Sequence, residues 1–113
     1  MTISTLSSKT IETKEINIST QSHININAID TILFSSNEST SFETQKELSL
    51  TSDNTDIESR SNITATAGNH ITHQVGDTQI IAKGDSVIIK AGGVEVVIDS
   101  NGLIVKGGEV KSE

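Results

Sequence analysis

The sequence contains no cysteine, proline, tryptophan or tyrosine, and two phenylalanines are its whole aromatic complement. Without cysteine there is neither a disulfide framework nor a thiolate metal site, and either redox compartment is compatible with the chain. Lysine and arginine never cluster and the formal charge is −7, which argues against nucleic acid and anionic membrane surfaces as partners. No apolar run approaches the roughly 20 residues of a membrane helix. The N-terminus also lacks the charged, apolar and small-residue succession of a signal peptide. Motifs of covalent and phosphate chemistry are missing too: there is no Gly-x-Ser-x-Gly elbow and no phosphate loop. Three histidines without a concave scaffold do not make a hydrolase, so the reading is non-enzymatic, with no cofactor.

The poverty in aromatics has a second consequence. A chain of 113 residues, 33% hydrophobic with two aromatic rings, struggles to bury a compact core alone. Such a chain is either disordered or buries its apolar residues against copies of itself. Its many isoleucines, valines and threonines favour strands over disorder.

What the sequence does have is a count. Gly68, Gly76, Gly84 and Gly92 stand eight residues apart, followed by Asn69, Asp77, Asp85 and Gly93. So strict a count is unlike a hairpin meander, whose loops vary in length; fixed-period self-similarity marks a repeat architecture. The apolar residues keep the same step. Ile16 and Ile18, Ile24 and Ile26, Ile32 and Phe34, Thr40 and Phe42, and Leu48 and Leu50 succeed one another at intervals of eight. After a one-residue deletion, Thr55 and Ile57, Ile63 and Ala65, Ile71 and His73, Gln79 and Ile81, and Val87 and Ile89 resume it.

Residues two apart share one face of a strand, whereas this pattern scatters around a helix. Each octad therefore reads as a short strand followed by a corner. Glycines serve the corners of the second half; Ser35–Ser36–Asn37 and Ser52–Asp53–Asn54 supply Ser- and Asx-type turns in the first. Three octads close a triangular prism, either within one chain as a solenoid or by interleaving three chains. A thin monomeric coil needs capped ends, and three chains triple the core, so the composition favours the trimer. The predicted fold is all-β: an intertwined homotrimeric triple-stranded β-helix, or β-prism, with eight-residue repeats. Its lead-in spans residues 1–15, its shaft 16–93 and its tip 94–113. Strands stacked about 4.8 Å apart make a needle about 55–60 Å long. The predicted core comprises Ile16, Ile18, Ile24, Ile26, Ile32, Phe34, Phe42, Leu48, Leu50, Ile57, Ile63, Ile71, Ile81, Val87 and Ile89.

After Gly93 the rhythm changes. Val94 to Asp99 alternates, Ser100 to Gly102 turns, and Leu103 to Gly108 makes a last strand. The stretch VIIKAGGVEVVIDSNGLIVKGGEVK resembles the C-terminal needle of the VgrG (valine–glycine repeat) spike proteins of bacterial type VI secretion systems. The resemblance rests on Lys90–Gly93, the Val94, Val96 and Ile98 alternation, Gly102, and Leu103–Gly107. It departs at Val94, where that family usually has a small polar residue. It implies a homotrimeric needle, related to the central spikes of contractile phage tails, without enzymatic activity. Such a needle is assembled in the bacterial cytoplasm and driven through a target-cell envelope, with a PAAR-repeat tip protein and attached effector on its blunt end. Hub and barrel domains of a full spike have no counterpart here, so the chain is expected to be a C-terminal fragment of a longer protein. Alternatives are a phage or phage-like tail spike and a single-chain β-solenoid binding module.

A prism must end on strands with unpaired backbone groups, which invite a partner. The expected docking tip is Gly102, Leu103, Ile104, Val105, Lys106, Gly107 and Gly108, with Leu103 and Val105 facing one way and Ile104 the other. His73 falls in an inward slot, where three imidazoles around an axis could take a metal, an anion or water; the plainer reading is a hydrogen-bonded core histidine. His70 should face away from it. Gly76–Asp77 and Gly84–Asp85 fit neither the nine-residue period nor the paired glycines of calcium-binding repeats. Asp53 to Asp56 lacks the downstream Gly and Glu of an EF-hand loop.

Overall fold

The computed structural model describes residues 7–112; residues 1–6 of the expected lead-in and Glu113 of the tip segment lie outside them. The fold is all-β, with five strands and no helix among the described residues. The chain divides into two units, one ending at Leu50 and one starting at Thr51.

In the first unit, an extended backbone bends at residues 21–22, 29–30, 37–38 and 45–46. These corners are the eight-residue step made visible. Several are held by a hydroxyl that accepts from the N–H two residues on: Ser22 N–H to Thr20 Oγ1 at 3.3 Å, Glu38 N–H to Ser36 Oγ at 3.3 Å, and Lys46 N–H to Thr44 Oγ1 at 3.4 Å. Such bonds offer the backbone a local turn in place of a ladder. The phenyl rings of Phe34 and Phe42, one octad apart, meet edge to face, with centroids 5.6 Å apart and planes at 89°. These two octads thus bring their equivalent side chains together.

In the second unit the corners continue at 53, 60–61 and 68–69, then at 76–77, 84–85 and 92–93. The step from 53 to 60 is seven residues and every later one is eight, so the backbone shortens where the apolar pairs lose a residue. Ser61 N–H bonds Ser59 Oγ at 3.3 Å at this reset corner.

From His70 onward the chain pairs with itself. Strands β1 (His70–Val75), β2 (Thr78–Lys83), β3 (Val87–Ala91), β4 (Val94–Asp99) and β5 (Gly102–Lys106) form one antiparallel sheet in the order of the sequence. This corrects the expectation that so regular a count is unlike a hairpin meander. The count survives because the loops barely vary: Gly76–Asp77, Gly92–Gly93 and Ser100–Asn101 are two-residue connections. Between β2 and β3, Gly84–Asp85–Ser86 is closed by Lys83 N–H donating to the Ser86 carbonyl at 2.9 Å. Both glycines of the β3–β4 turn have positive φ, 56° and 83°, as the favoured two-residue hairpin turn requires. Gly76 has φ 56°, whereas Gly68 and Gly84 do not enter the left-handed region. Asn101 N–H donates to Asp99 Oδ1 at 2.8 Å and fixes the last turn.

No described residue of either unit is buried. Residues 8–69 make no backbone-to-backbone hydrogen bond with any described residue.

Candidate functional site

The register of the meander sorts its side chains into two unlike faces. Residues directly opposite in an antiparallel pair share a face. Ile71 pairs with Ala82, Ala82 with Val87, Val87 with Ile98 and Ile98 with Leu103, which makes one row. His73, Ile80, Ile89, Val96 and Val105 make the row beside it. Val75 with Thr78, and Ala91 with Val94, complete this face. Every residue on it is aliphatic except His73 and Thr78, and none is charged.

The opposite face is mixed. Thr72, Ile81, Ile88, Val97 and Ile104 form a central row, and Lys83, Lys90, Glu95, Asp99 and Lys106 carry the charges of the strands. A row that runs Lys90, Glu95, Lys106 alternates in sign across β3, β4 and β5, the order that favours cross-strand neighbours. The segregation is complete within the strands: charge on one face, none on the other.

The apolar face is open to solvent. Ile80 and Ile98 are each 47% exposed and Leu103 is 63% exposed. An aliphatic face of this size is in the range of the largest apolar patch of a monomer, which is often functional, and it is the candidate interaction surface.

Five strands at about 4.8 Å and five to six residues at about 3.3 Å give it an extent on the order of 400 Å². Of the predicted core, Ile71, Val87 and Ile89 lie on this face, while Ile81 lies on the other with Gln79. The octad rule assigned all of them to one side. It missed Ile80, which occupies the centre of the apolar face. The signal for this was the dipeptide Gly76–Asp77 between alternating runs, a two-residue hairpin turn; such a turn reverses the strand and exchanges the faces counted at an eight-residue step. The predicted core residues from Ile16 to Ile63 are all exposed, and Phe34 and Phe42 are the pair the structure brings into contact.

Leu103 and Val105 face the apolar side and Ile104 the mixed side, and β5 is a free edge of the sheet with unpaired backbone groups. Gly107 and Gly108 then cross the β3–β4 turn. A Cβ on Gly107, whose φ is 77°, would lie 2.5 Å from the Gly93 carbonyl oxygen, and one on Gly108 would lie 2.8 Å from Val94 Cγ2. Glycine is required here because backbone passes over backbone. Beside this crossing, Asp77, Lys90, Glu95 and the Gly92–Gly93 turn line an open concavity.

His73 is exposed on the apolar face opposite Ile80, and His70 lies on the other face opposite Lys83. The two histidines therefore share no site within one chain. No cluster of three metal-ligating side chains occurs among the described residues, and no helix of the described residues is long and apolar enough to cross a membrane. Comparison with family models, with curated proteins and with solved structures finds no match.

Proposed function

We propose that this chain is the needle of a homotrimeric, type VI-like secretion spike. It acts by stiffness, and its last strands present a platform for a PAAR-type cap with its effector. The observation that carries this reading is a chain with a third of its residues hydrophobic that buries none of them among the described residues. Its backbone from residue 21 to 69 bends at steps of eight residues, with one of seven, while pairing with no other described residue. Extended backbone with free N–H and C=O groups and an apolar pattern of fixed period is what interleaved strands from other copies complete. A single-chain solenoid would stack its own octads into ladders, and none forms between residues 8 and 69. The likeness of Lys90–Gly107 to the VgrG needle supplies the biological setting: assembly in a bacterial cytoplasm, then injection into a target-cell envelope. A contractile phage-tail spike shares that architecture, and binding of a PAAR-type cap to the tip separates the two.

Burying an isoleucine or leucine contributes about 1.5–3 kcal/mol before entropy is subtracted. Interleaved strands cannot leave one at a time, so the assembly is expected to be kinetically stable. The test is solution mass by light scattering, with the same sample run unboiled on an SDS gel. A mass of three chains that survives SDS unboiled supports the needle. A folded monomer overturns it in favour of a single-chain binding module.

A further inference from the structure

We propose that the C-terminal end of the assembly is built from three self-paired sheets: each copy keeps its own five-stranded meander and closes its uncharged aliphatic face against the same face of the other copies. This rests on the trimeric reading above and departs from it in one respect. The shaft is completed by strands from other chains, whereas residues 70–106 complete their own ladders and need only a cover.

The occupant is a second and third copy of this chain for three reasons. The face has no charged residue to offer a charged partner, while Lys83, Lys90, Glu95, Asp99 and Lys106 all stand on the opposite side. Self-packing of such a face therefore brings no like charges together. Its extent, on the order of 400 Å² per chain before side-chain relief, is about half of the roughly 800 Å² that a stable interface takes from each partner, so it suits copies that the shaft already holds together rather than a separate protein. Finally, the corners that pace the shaft run into this sheet without a break in count, at 60–61, 68–69, 76–77, 84–85 and 92–93. The count that paces the shaft therefore continues into this sheet. Because its ladders are local, the sheet forms before association. It then sets which residues of three chains lie level, the step that loosely patterned octads leave unspecified.

Two adjacent isoleucines separate this arrangement from a prism continued to the end. The meander puts Ile80 on the apolar face and Ile81 on the mixed one; an unbroken octad prism puts Ile81 inside and Ile80 outside. The experiment compares the full chain with Ile80→Glu and Ile81→Glu, each unfolded in guanidinium, diluted and followed by light scattering and cross-linking. Val96→Glu and Val97→Glu, adjacent valines on opposite faces of β4, form a second pair in case one site is idiosyncratic. Ile80→Glu and Val96→Glu should lower trimer yield at least about tenfold, since a buried unpaired carboxylate is costly, and Ile81→Glu and Val97→Glu should leave it within about twofold. A greater loss with Ile81→Glu, or equal losses within both pairs, overturns the self-paired arrangement while the trimeric needle stands. A wild-type chain that stays monomeric overturns both.

Discussion

Residues 8–69 and residues 70–106 are written in one code and fold by different means. Both have β-branched residues in alternation and a corner every eighth position. In the earlier stretch the corners are bends held by hydroxyls of Thr20, Ser36, Thr44 and Ser59, and no strand meets another. In the later stretch the corners at 76–77 and 92–93 hold glycines with positive φ, and the chain folds back on itself. The difference teaches that a period sets where a chain turns, while the chemistry of the corner sets how far. A Ser- or Thr-type bend deflects the strand; the turns at 76–77 and 92–93 reverse it with positive-φ glycine, and Gly84–Asp85–Ser86 reverses it with the Lys83–Ser86 backbone bond instead. In the proposed trimer, the deflected strands pair with other chains and the reversed strands need only a cover.

The largest effect that tests this contrast is in amide hydrogen exchange. In dilute monomer the central amides of β2, β3 and β4 should be protected, and those of residues 16–65 should exchange near the unfolded-chain rate. On trimer formation the latter should slow by about a thousandfold or more, since their N–H groups then lie in ladders. Protection of residues 16–65 in the monomer would erase the distinction between the two stretches.

A smaller effect compares two glycines. Gly107→Ala meets both a positive φ and the Gly93 carbonyl, and should destabilise the C-terminal sheet by about 2–3 kcal/mol. Gly68→Ala has open space and an ordinary φ and should be neutral or stabilising by up to about 1 kcal/mol. Denaturant midpoints of the two variants, followed by circular dichroism, check this; equal losses would mean that the Gly107 crossing does not form.

The smallest expected effect lies in the shaft. Phe42→Leu keeps an apolar side chain and removes the edge-to-face contact with Phe34, at a cost of about 1 kcal/mol per chain. Its signature should be a lower unfolding midpoint for the shaft with the C-terminal sheet unchanged. A shift confined to the sheet would contradict the assignment of this contact to the first unit.

Much of the fold was legible in the sequence. The spacing of Leu48 and Leu50 from Thr55 and Ile57 places the lost residue between 50 and 55, around the corner at 53 from which the backbone takes its seven-residue step to 60. The alternation of Leu103, Ile104 and Val105 divides that strand between two faces as the register does. Ile80 and Ile81 were not legible from the period. In an alternating run with two isoleucines side by side, each satisfies an apolar slot, and only the partner strand decides which one is inside.

The sequence by itself determined the all-β character, the eight-residue pace and its one break, because turn chemistry and side-chain alternation are local properties carried by neighbouring residues. Tertiary structure alone decided which strands pair within the chain and therefore which aliphatic residues share a face. Pairing depends on the sense in which each corner sends the next strand, and a shift of one residue, or one reversal, carries a whole strand's side chains to the other side.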